Sequence, residues 1–183
     1  ANKTRELILG AFITLARRNP QRTSFTMTEI AAEAGISAND LSKAFNNFED
    51  IIDYIHKETD QQIFNNFNNY CPERDGDPIT FLADHILPLI YEKREVVGTL
   101  YNSQATTCWR EFLREKYSQW VLKNVNYQLK YNFSEEDIAY IITTMAISFI
   151  EVWIRKDNPT PPEEFRETFI QLAKTSLCDY IVS

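Results

Sequence analysis

The sequence has few of the residues from which turns, disulfide frameworks and membrane spans are built. Only four of its 183 residues are glycine, which disfavours a turn-rich β protein and favours long helices joined by short loops. The three cysteines are odd in number and far apart, so we expect no disulfide framework and a reducing, cytoplasmic location. No apolar run approaches the ~18 residues of a membrane span, and no signal-peptide pattern opens the sequence, so no membrane partner is predicted.

Histidine is also scarce, which bears on enzymatic function. His56 and His85 are the only two histidines, and neither has a second ligand at metal-binding spacing. The sequence contains no nucleophile elbow, no phosphate-cradling glycine loop and no paired cysteine motif. We therefore predict that the protein is not an enzyme and that it has no catalytic residues, no metal and no other cofactor.

The charges are unevenly distributed along the chain. The net charge of −7 would repel DNA if it were evenly spread. The first 47 residues, however, carry six basic and four acidic side chains, so they have a net charge of +2 and the remainder has −9. A mildly basic head on an acidic body is typical of a DNA-binding module joined to a domain that does not bind DNA.

The first part of the chain has the pattern of three short helices. Apolar residues at helical spacing predict a first helix over 3–18. Thr26 and Glu29 have the spacing of a capping box that opens a second helix, and Gly35 ends it. Ser37 then begins the third helix. A glycine turn between the second and third of three short helices is the helix-turn-helix arrangement.

Longer helical patterns follow this head. They predict helices over about 48–70, 79–93, 95–105, 107–131, 134–157 and 162–182. Pro88 lies inside one of them and should kink it, while Thr160 and Glu163 have the spacing of a capping pair for the last. The predicted fold class is all-α, with a three-helix helix-turn-helix domain over 1–47 and a C-terminal bundle of about six helices over 48–183.

The segment from Thr26 to Ile52 resembles the N-terminal signature of the tetracycline-repressor (TetR) family. The positions that match the family's pattern are Ile30, Ala31, Ala34, Gly35, Ile36, Ser37, Leu41, Phe45, Glu49 and Ile51. The resemblance implies a ligand-responsive transcription regulator that binds a near-palindromic site on double-stranded DNA as a homodimer. Repression is the expected activity because it is the commoner behaviour among similar proteins.

The resemblance also indicates which residues would contact DNA. They lie at the start of the second helix and along the third, the recognition helix: Thr26, Thr28, Ser37, Ala38, Asn39, Ser42 and Lys43. Asn39 matches an adenine edge in the major groove, and Lys43 matches a guanine edge or a phosphate. The two threonines would bind phosphate together with the exposed N–H groups of the second helix.

Three positions depart from the family's pattern. Ser42 stands where the family usually has tyrosine and Phe48 where it usually has lysine, both of which contact phosphate. Asp40 replaces a small or hydroxyl residue and adds a negative charge near the DNA. The departures leave a second function open, a helix-turn-helix-derived co-regulator that acts through a protein partner with little or no DNA binding. Phe48 itself is expected to pack at the start of the next helix.

The body contains residues for a pocket and for a dimer interface. An apolar pocket for a small apolar or aromatic effector is predicted from His85, Tyr91, Tyr101, Asn102, Trp109, Trp120, Tyr127, Phe149 and Trp153, with ordinary core packing as the alternative for each. By resemblance, the effector would shift the helix over 48–70 and change the distance between the heads.

The two last helices are expected to pair with their copies, as they do in the TetR family. The predicted interface residues are Ile147, Ile150, Ile154, Phe169, Leu177 and Tyr180. The alternative is that these apolar stripes fill the core of a single chain. We favour the dimer because two half-sites require two heads about 34 Å apart.

Overall fold

The computed structural model of the chain describes residues 2–126 and 132–182, and all regular structure within them is helical. The α-helices are α1 Asn2–Arg18, α2 Met27–Ala34, α3 Ala38–Ala44, α4 Phe48–Phe67, α5 Pro72–Asp75, α6 Pro78–Phe81, α7 Leu87–Glu92, α8 Arg94–Asn102, α9 Trp109–Asn124, α10 Glu135–Ile154 and α11 Pro162–Lys174. The prediction of an all-α chain with a three-helix head is confirmed.

Local capping interactions define the second and third helices of the head. Thr26 Oγ accepts a hydrogen bond from the backbone N–H of Glu29, whose carboxylate accepts from the N–H of Thr26, so the predicted capping box is confirmed. Gly35 ends α2 with φ at +66°, a left-handed conformation that glycine adopts at little cost. Ser37 Oγ then caps α3 by accepting from the N–H of Asp40 at 3.0 Å. These contacts produce the tight turn between α2 and α3.

Helix α4 packs against both the head and the body. The ring of Phe48, in its first turn, lies 6.1 Å from that of Phe12 and 6.4 Å from that of Phe25, so the expected packing role of Phe48 is confirmed. The later turns of α4 bury Ile63 and Phe67 against α9 and the segment between α6 and α7. A displacement of α4 would therefore change packing contacts in both the head and the body.

Pro88 interrupts the helix predicted over 79–93. Proline has no N–H to donate to the carbonyl four residues earlier, so a regular α-helix cannot continue through it unchanged. The chain forms a five-residue π-helical turn over Leu82–Ile86, in which the N–H of Leu87 donates to the carbonyl of Leu82. The predicted interruption is therefore a widened turn between α6 and α7.

The last predicted helix is shorter than its apolar pattern indicates. It was expected over 162–182, and α11 ends at Lys174. Ser176 forms a capping box with Asp179 and opens a separate 3-10 turn over Leu177–Tyr180. The side chains of serine and aspartate compete here for backbone N–H groups that would otherwise continue the helix.

The start of α11 also differs from the prediction. Pro161 takes the N-cap position and no side chain caps the helix, so Thr160 and Glu163 do not form the expected pair. Pro162 occupies the first helical turn, where its missing N–H is tolerated. The carbonyl of Thr160 instead accepts a hydrogen bond from the indole N–H of Trp153 at 2.9 Å.

Helix α10 is the central helix of the body. By length and composition alone it could cross a membrane. In this fold it packs against α8, α9 and α11 and buries Ala139, Thr143 and Ile147. It therefore forms part of the protein's own core, between the helices that surround the cavity described below.

Candidate nucleic-acid interface and ligand cavity

The seven residues predicted to contact DNA are all exposed, at the start of α2 and along α3. Three of them, Thr26, Ser37 and Ser42, form side-chain hydrogen bonds within the head, and Lys43 pairs with Asp40. The hydroxyl and backbone N–H of Thr26 both donate to Glu29, and Ser42 Oγ donates to the carbonyl of Ala38 at 2.8 Å. Asn39 makes no side-chain hydrogen bond within the described structure, so its amide is available to a base edge.

Acidic neighbours offset the basic residues of the head. Arg18 pairs with Glu33 at 3.1 Å and Arg22 pairs with Glu29 at 2.6 Å. The hydrogen bond from the Arg22 guanidinium lowers the pKa of Glu29 to about 2, so this carboxylate is fully ionised at neutral pH. The local charge of the head is therefore weaker than a count of its basic residues indicates.

The same compensation occurs on the recognition helix itself. Lys43 Nζ lies 3.9 Å from a carboxylate oxygen of Asp40, and the other oxygen of Asp40 accepts from the hydroxyl of Ser37 at 2.9 Å. Asp40 is thus part of the cap of α3 as well as the partner of Lys43. Binding of Lys43 to a phosphate or guanine would have to compete with this exposed pair, which is worth little in water.

An apolar cavity of about 190 Å³ lies in the body, walled by α4, the segment around α6 and α7, and helices α8 to α10. Its lining residues are Asp60, Ile63, Phe67, Pro78, Ile79, Leu82, Ile90, Val97, Tyr101, Trp109, Leu113, Tyr117, Trp120, Val121, Val125, Ile142, Thr143, Ala146, Ile147 and Ile150. The structure brings three of the predicted effector residues, Tyr101, Trp109 and Trp120, to this cavity. Because α4 also packs on the head, its residues in the cavity wall connect the cavity to the head.

The other described residues predicted to bind the effector do not line this cavity, so the structure does not bring them together with Tyr101, Trp109 and Trp120. His85 is exposed, and the exposed Asn102 donates to the carbonyl of Arg155 at 2.9 Å. Tyr91 stacks on Trp153, with 6.1 Å between the ring centroids. A helical pattern in the sequence does not show which side of a helix will face a cavity.

Two further effector predictions have different outcomes. Phe149 packs edge-on against Phe169, with 6.5 Å between the ring centroids, and does not line the cavity, which matches the alternative of core packing. Tyr127 lies outside the described residues.

The cavity has a charged end that was not predicted from the sequence. Asp60 is only 1% exposed, and its Oδ1 accepts a hydrogen bond from the hydroxyl of Tyr117 at 2.6 Å. Lys116 Nζ lies 2.6 Å from Oδ2 as an ion pair, although no residue in the described part of the chain gives Oδ2 a hydrogen bond of standard geometry. Burial and the adjacent Asp60 carboxylate raise the pKa of Tyr117 well above its usual value, so the phenol remains a donor. The spacing of His56, Asp60 and Ile63, at intervals of four and three residues, places Asp60 on the buried side of α4. A charged residue at such a position is the signal in the sequence.

A second buried polar group of α4 lies beside this end. His56 is 3% exposed, and its ring contacts those of Trp109 and Phe112 at 5.3 and 5.4 Å. Among the described residues its Nε2 has no hydrogen-bond partner. Burial, opposed only by the charge of Asp53, lowers the pKa of His56 to about 4. The imidazole is therefore neutral at physiological pH.

Four of the six predicted interface residues are buried inside the single chain. Ile147 and Ile150 line the cavity, while Ile154 and Phe169 are at most 1% exposed in the core. A residue already covered by its own chain cannot form the surface that meets a second copy, so these four assignments are corrected. Leu177 and Tyr180 are exposed, as an interface would require of the free chain.

Comparisons with known proteins give one match to part of the sequence and one to nearly the whole fold. The family model of the TetR-type "Transcriptional regulator C-terminal region" matches residues 79–175, more than half of the chain. The crystal structure of NalD, the secondary repressor of the MexAB-OprM multidrug efflux pump in Pseudomonas aeruginosa, superposes with a TM-score of 0.64 at 16% sequence identity. The alignment covers 95% of this chain and 96% of that chain, so the two share a fold. A search of curated proteins finds no match.

Proposed function

The chain belongs to the TetR family of transcription regulators, and from this premise we propose that it is a cytoplasmic repressor. In this proposal residues 1–47 bind a near-palindromic site on double-stranded DNA, and residues 48–183 form a homodimer and bind a small apolar or aromatic effector. The observation that carries it is the course of α4, which packs on the head through Phe48 and lines the cavity through Asp60 and Phe67.

The effector would act by shifting a population of conformations. A ligand that fits the cavity better in one position of α4 stabilises that position, and its differential affinity limits the size of the effect. Because α4 contacts the core of the head, its displacement moves the recognition helix. Two heads must lie about 34 Å apart to reach successive major grooves, so a small change in spacing weakens binding to both half-sites.

We propose that the dimer forms through the outer side of α10 and the C-terminal segment. Ile141, Met145 and Val152 are 42–48% exposed and recur at helical spacing on α10. Leu177 and Ile181, near the end of the chain, are 78% and 70% exposed. An exposed apolar patch of this kind favours association with another surface.

The dimer proposal is tested by the mass of the protein in solution. Met145→Glu places a charge in the middle of the stripe and should yield a monomer in light scattering. Gln119→Glu, on the exposed side of α9, is the matched control and should leave the dimer intact. A dimer unaffected by Met145→Glu would rule out this surface.

The DNA proposal is tested by selecting genomic fragments with the purified protein and titrating the recovered site at several salt concentrations. A steep salt dependence that decreases with Lys43→Ala is the expected result. Lys174→Ala, an exposed lysine on α11, should leave the salt dependence unchanged. Failure to recover any fragment at low salt would contradict the proposal.

The paired charges of the head favour one alternative function, a co-regulator that acts through a protein partner. Ser42→Tyr restores the family's phosphate contact at an exposed position and separates the two functions. A gain in DNA affinity at low salt supports a weakened DNA-binding head. Phe48→Lys is unsuited to this test because Phe48 packs between Phe12 and Phe25.

A further inference from the structure

The cavity has one charged residue in its wall, and that residue is acidic. Among the described residues that line it, Asp60 alone carries a charge, while the rest are aliphatic or aromatic apart from Thr143. Its counter-ion Lys116 is not part of the wall. The cavity surface is otherwise almost entirely apolar, and both oxygens of the Asp60 carboxylate are engaged, by Tyr117 and by Lys116, so a ligand inside the cavity reaches the carboxylate by displacing the lysine.

Five aromatic side chains surround the same space: Phe67, Tyr101, Trp109, Tyr117 and Trp120. The faces of aromatic rings attract cations, most strongly where water is excluded. A carboxylate in a low-dielectric wall has the same preference, and it repels an anionic ligand. Both kinds of wall group therefore favour a cation once Lys116 no longer neutralises the carboxylate.

The size of the cavity restricts the ligand further. A dry cavity of about 150 Å³ is sufficient to bind benzene, and this one is about 190 Å³. We infer that the effector is a small hydrophobic amine with one or two rings, whose cationic nitrogen binds the carboxylate of Asp60. The inference rests on the proposed ligand-responsive function and names the ligand class for it.

Lys116 is placed so that it can release Asp60 to such a ligand. Its side chain is 28% exposed, and its ammonium lies 4.3 Å from the ring centre of Phe64 and 5.5 Å from that of Phe112. It therefore retains contacts with water and with aromatic faces when the ligand nitrogen takes its place at Oδ2. The hydrogen bond from Tyr117 holds the other carboxylate oxygen in position during the exchange.

The test is a fluorescence titration of the full chain without DNA, since Trp109 and Trp120 both line the cavity. The probes are 2-phenylethylamine, the neutral propylbenzene of equal heavy-atom count, and the anionic phenylacetate. The amine should bind at least tenfold more tightly than propylbenzene, and phenylacetate should not bind. Equal affinities for the amine and propylbenzene, or no binding of the amine, would overturn the inference.

Two variants identify the carboxylate. Asp60→Asn should weaken amine binding at least tenfold and leave propylbenzene binding unchanged, which also shows that the variant is folded. Lys116→Gln removes the competing ammonium and should strengthen amine binding several-fold. An amine affinity that neither substitution changes would overturn the assignment to Asp60.

A separate DNA titration distinguishes this inference from the function on which it rests. If the amine binds through Asp60 but leaves DNA affinity unchanged, the ligand class holds and ligand-responsive repression fails. If DNA is bound but the amine is not, the repressor remains and the ligand class fails.

Discussion

Acidification should destabilise this protein through His56, the buried histidine of α4. The pKa of His56 is about 4 in the folded chain, against 6.5 for an unperturbed histidine, because burial disfavours the charged imidazole. Between these two values the unfolded chain binds a proton that the folded chain does not bind. The free energy of unfolding therefore falls as pH falls through this window and levels off below pH 4.

The magnitude follows from the two pKa values. The complete shift corresponds to about 3 kcal/mol, at roughly 1.4 kcal/mol per unit. Between pH 7.5 and pH 5.5, where most carboxylates remain ionised, His56 alone should remove about 1.3 kcal/mol from the free energy of unfolding. This loss is a substantial fraction of the stability of an ordinary domain.

Urea denaturation of the native chain and of His56→Phe at the two pH values measures this effect. Tryptophan fluorescence is a suitable signal because the ring of Trp109 lies 5.3 Å from that of His56. The stability difference between the two proteins should change by about 1.3 kcal/mol in favour of the variant at the lower pH. His85→Phe, at an exposed histidine, is the control and should keep the native pH dependence. A difference that is the same at both pH values would refute the reasoning.

Four further predictions concern stability. Gly35→Ala should lower the free energy of unfolding by about 1 kcal/mol in thermal unfolding because its φ is +66°, although no described atom crowds the added Cβ. Gly10→Ala, inside α1 and equally uncrowded, should raise the free energy of unfolding by about 0.5–1 kcal/mol. Thr26→Ala removes the capping box and should cost about 1 kcal/mol in urea denaturation, and an unchanged midpoint would contradict the role of the cap. Tyr117→Phe removes a donor to the buried Asp60 and should cost about 1–3 kcal/mol by the same assay; a neutral result would mean that water replaces the phenol.

The features that could be predicted from the sequence are those that depend on residues close together in the chain. The capping box of Thr26, the glycine turn at Gly35 and the cap at Ser37 each involve groups within four residues, and all three are present. The packing of Phe48 at the start of α4 is of the same kind. At Pro88 the missing N–H and an interruption were predictable, but the π-helical form of the interruption over Leu82–Ile86 was not predicted.

The sequence by itself therefore determined the class of fold, the helix-turn-helix head and the helical character of the body. The tertiary structure alone decided which faces of the body helices meet one another. Periodicity identifies an apolar stripe but not its neighbour, so Ile154 and Phe169, predicted at a dimer interface, lie in the core of one chain. The cavity depends on the same information, because the side chains of Asp60 and Tyr117, 57 positions apart, meet only when α4 packs on α9. Local interactions specify the helices, and long-range packing specifies the site.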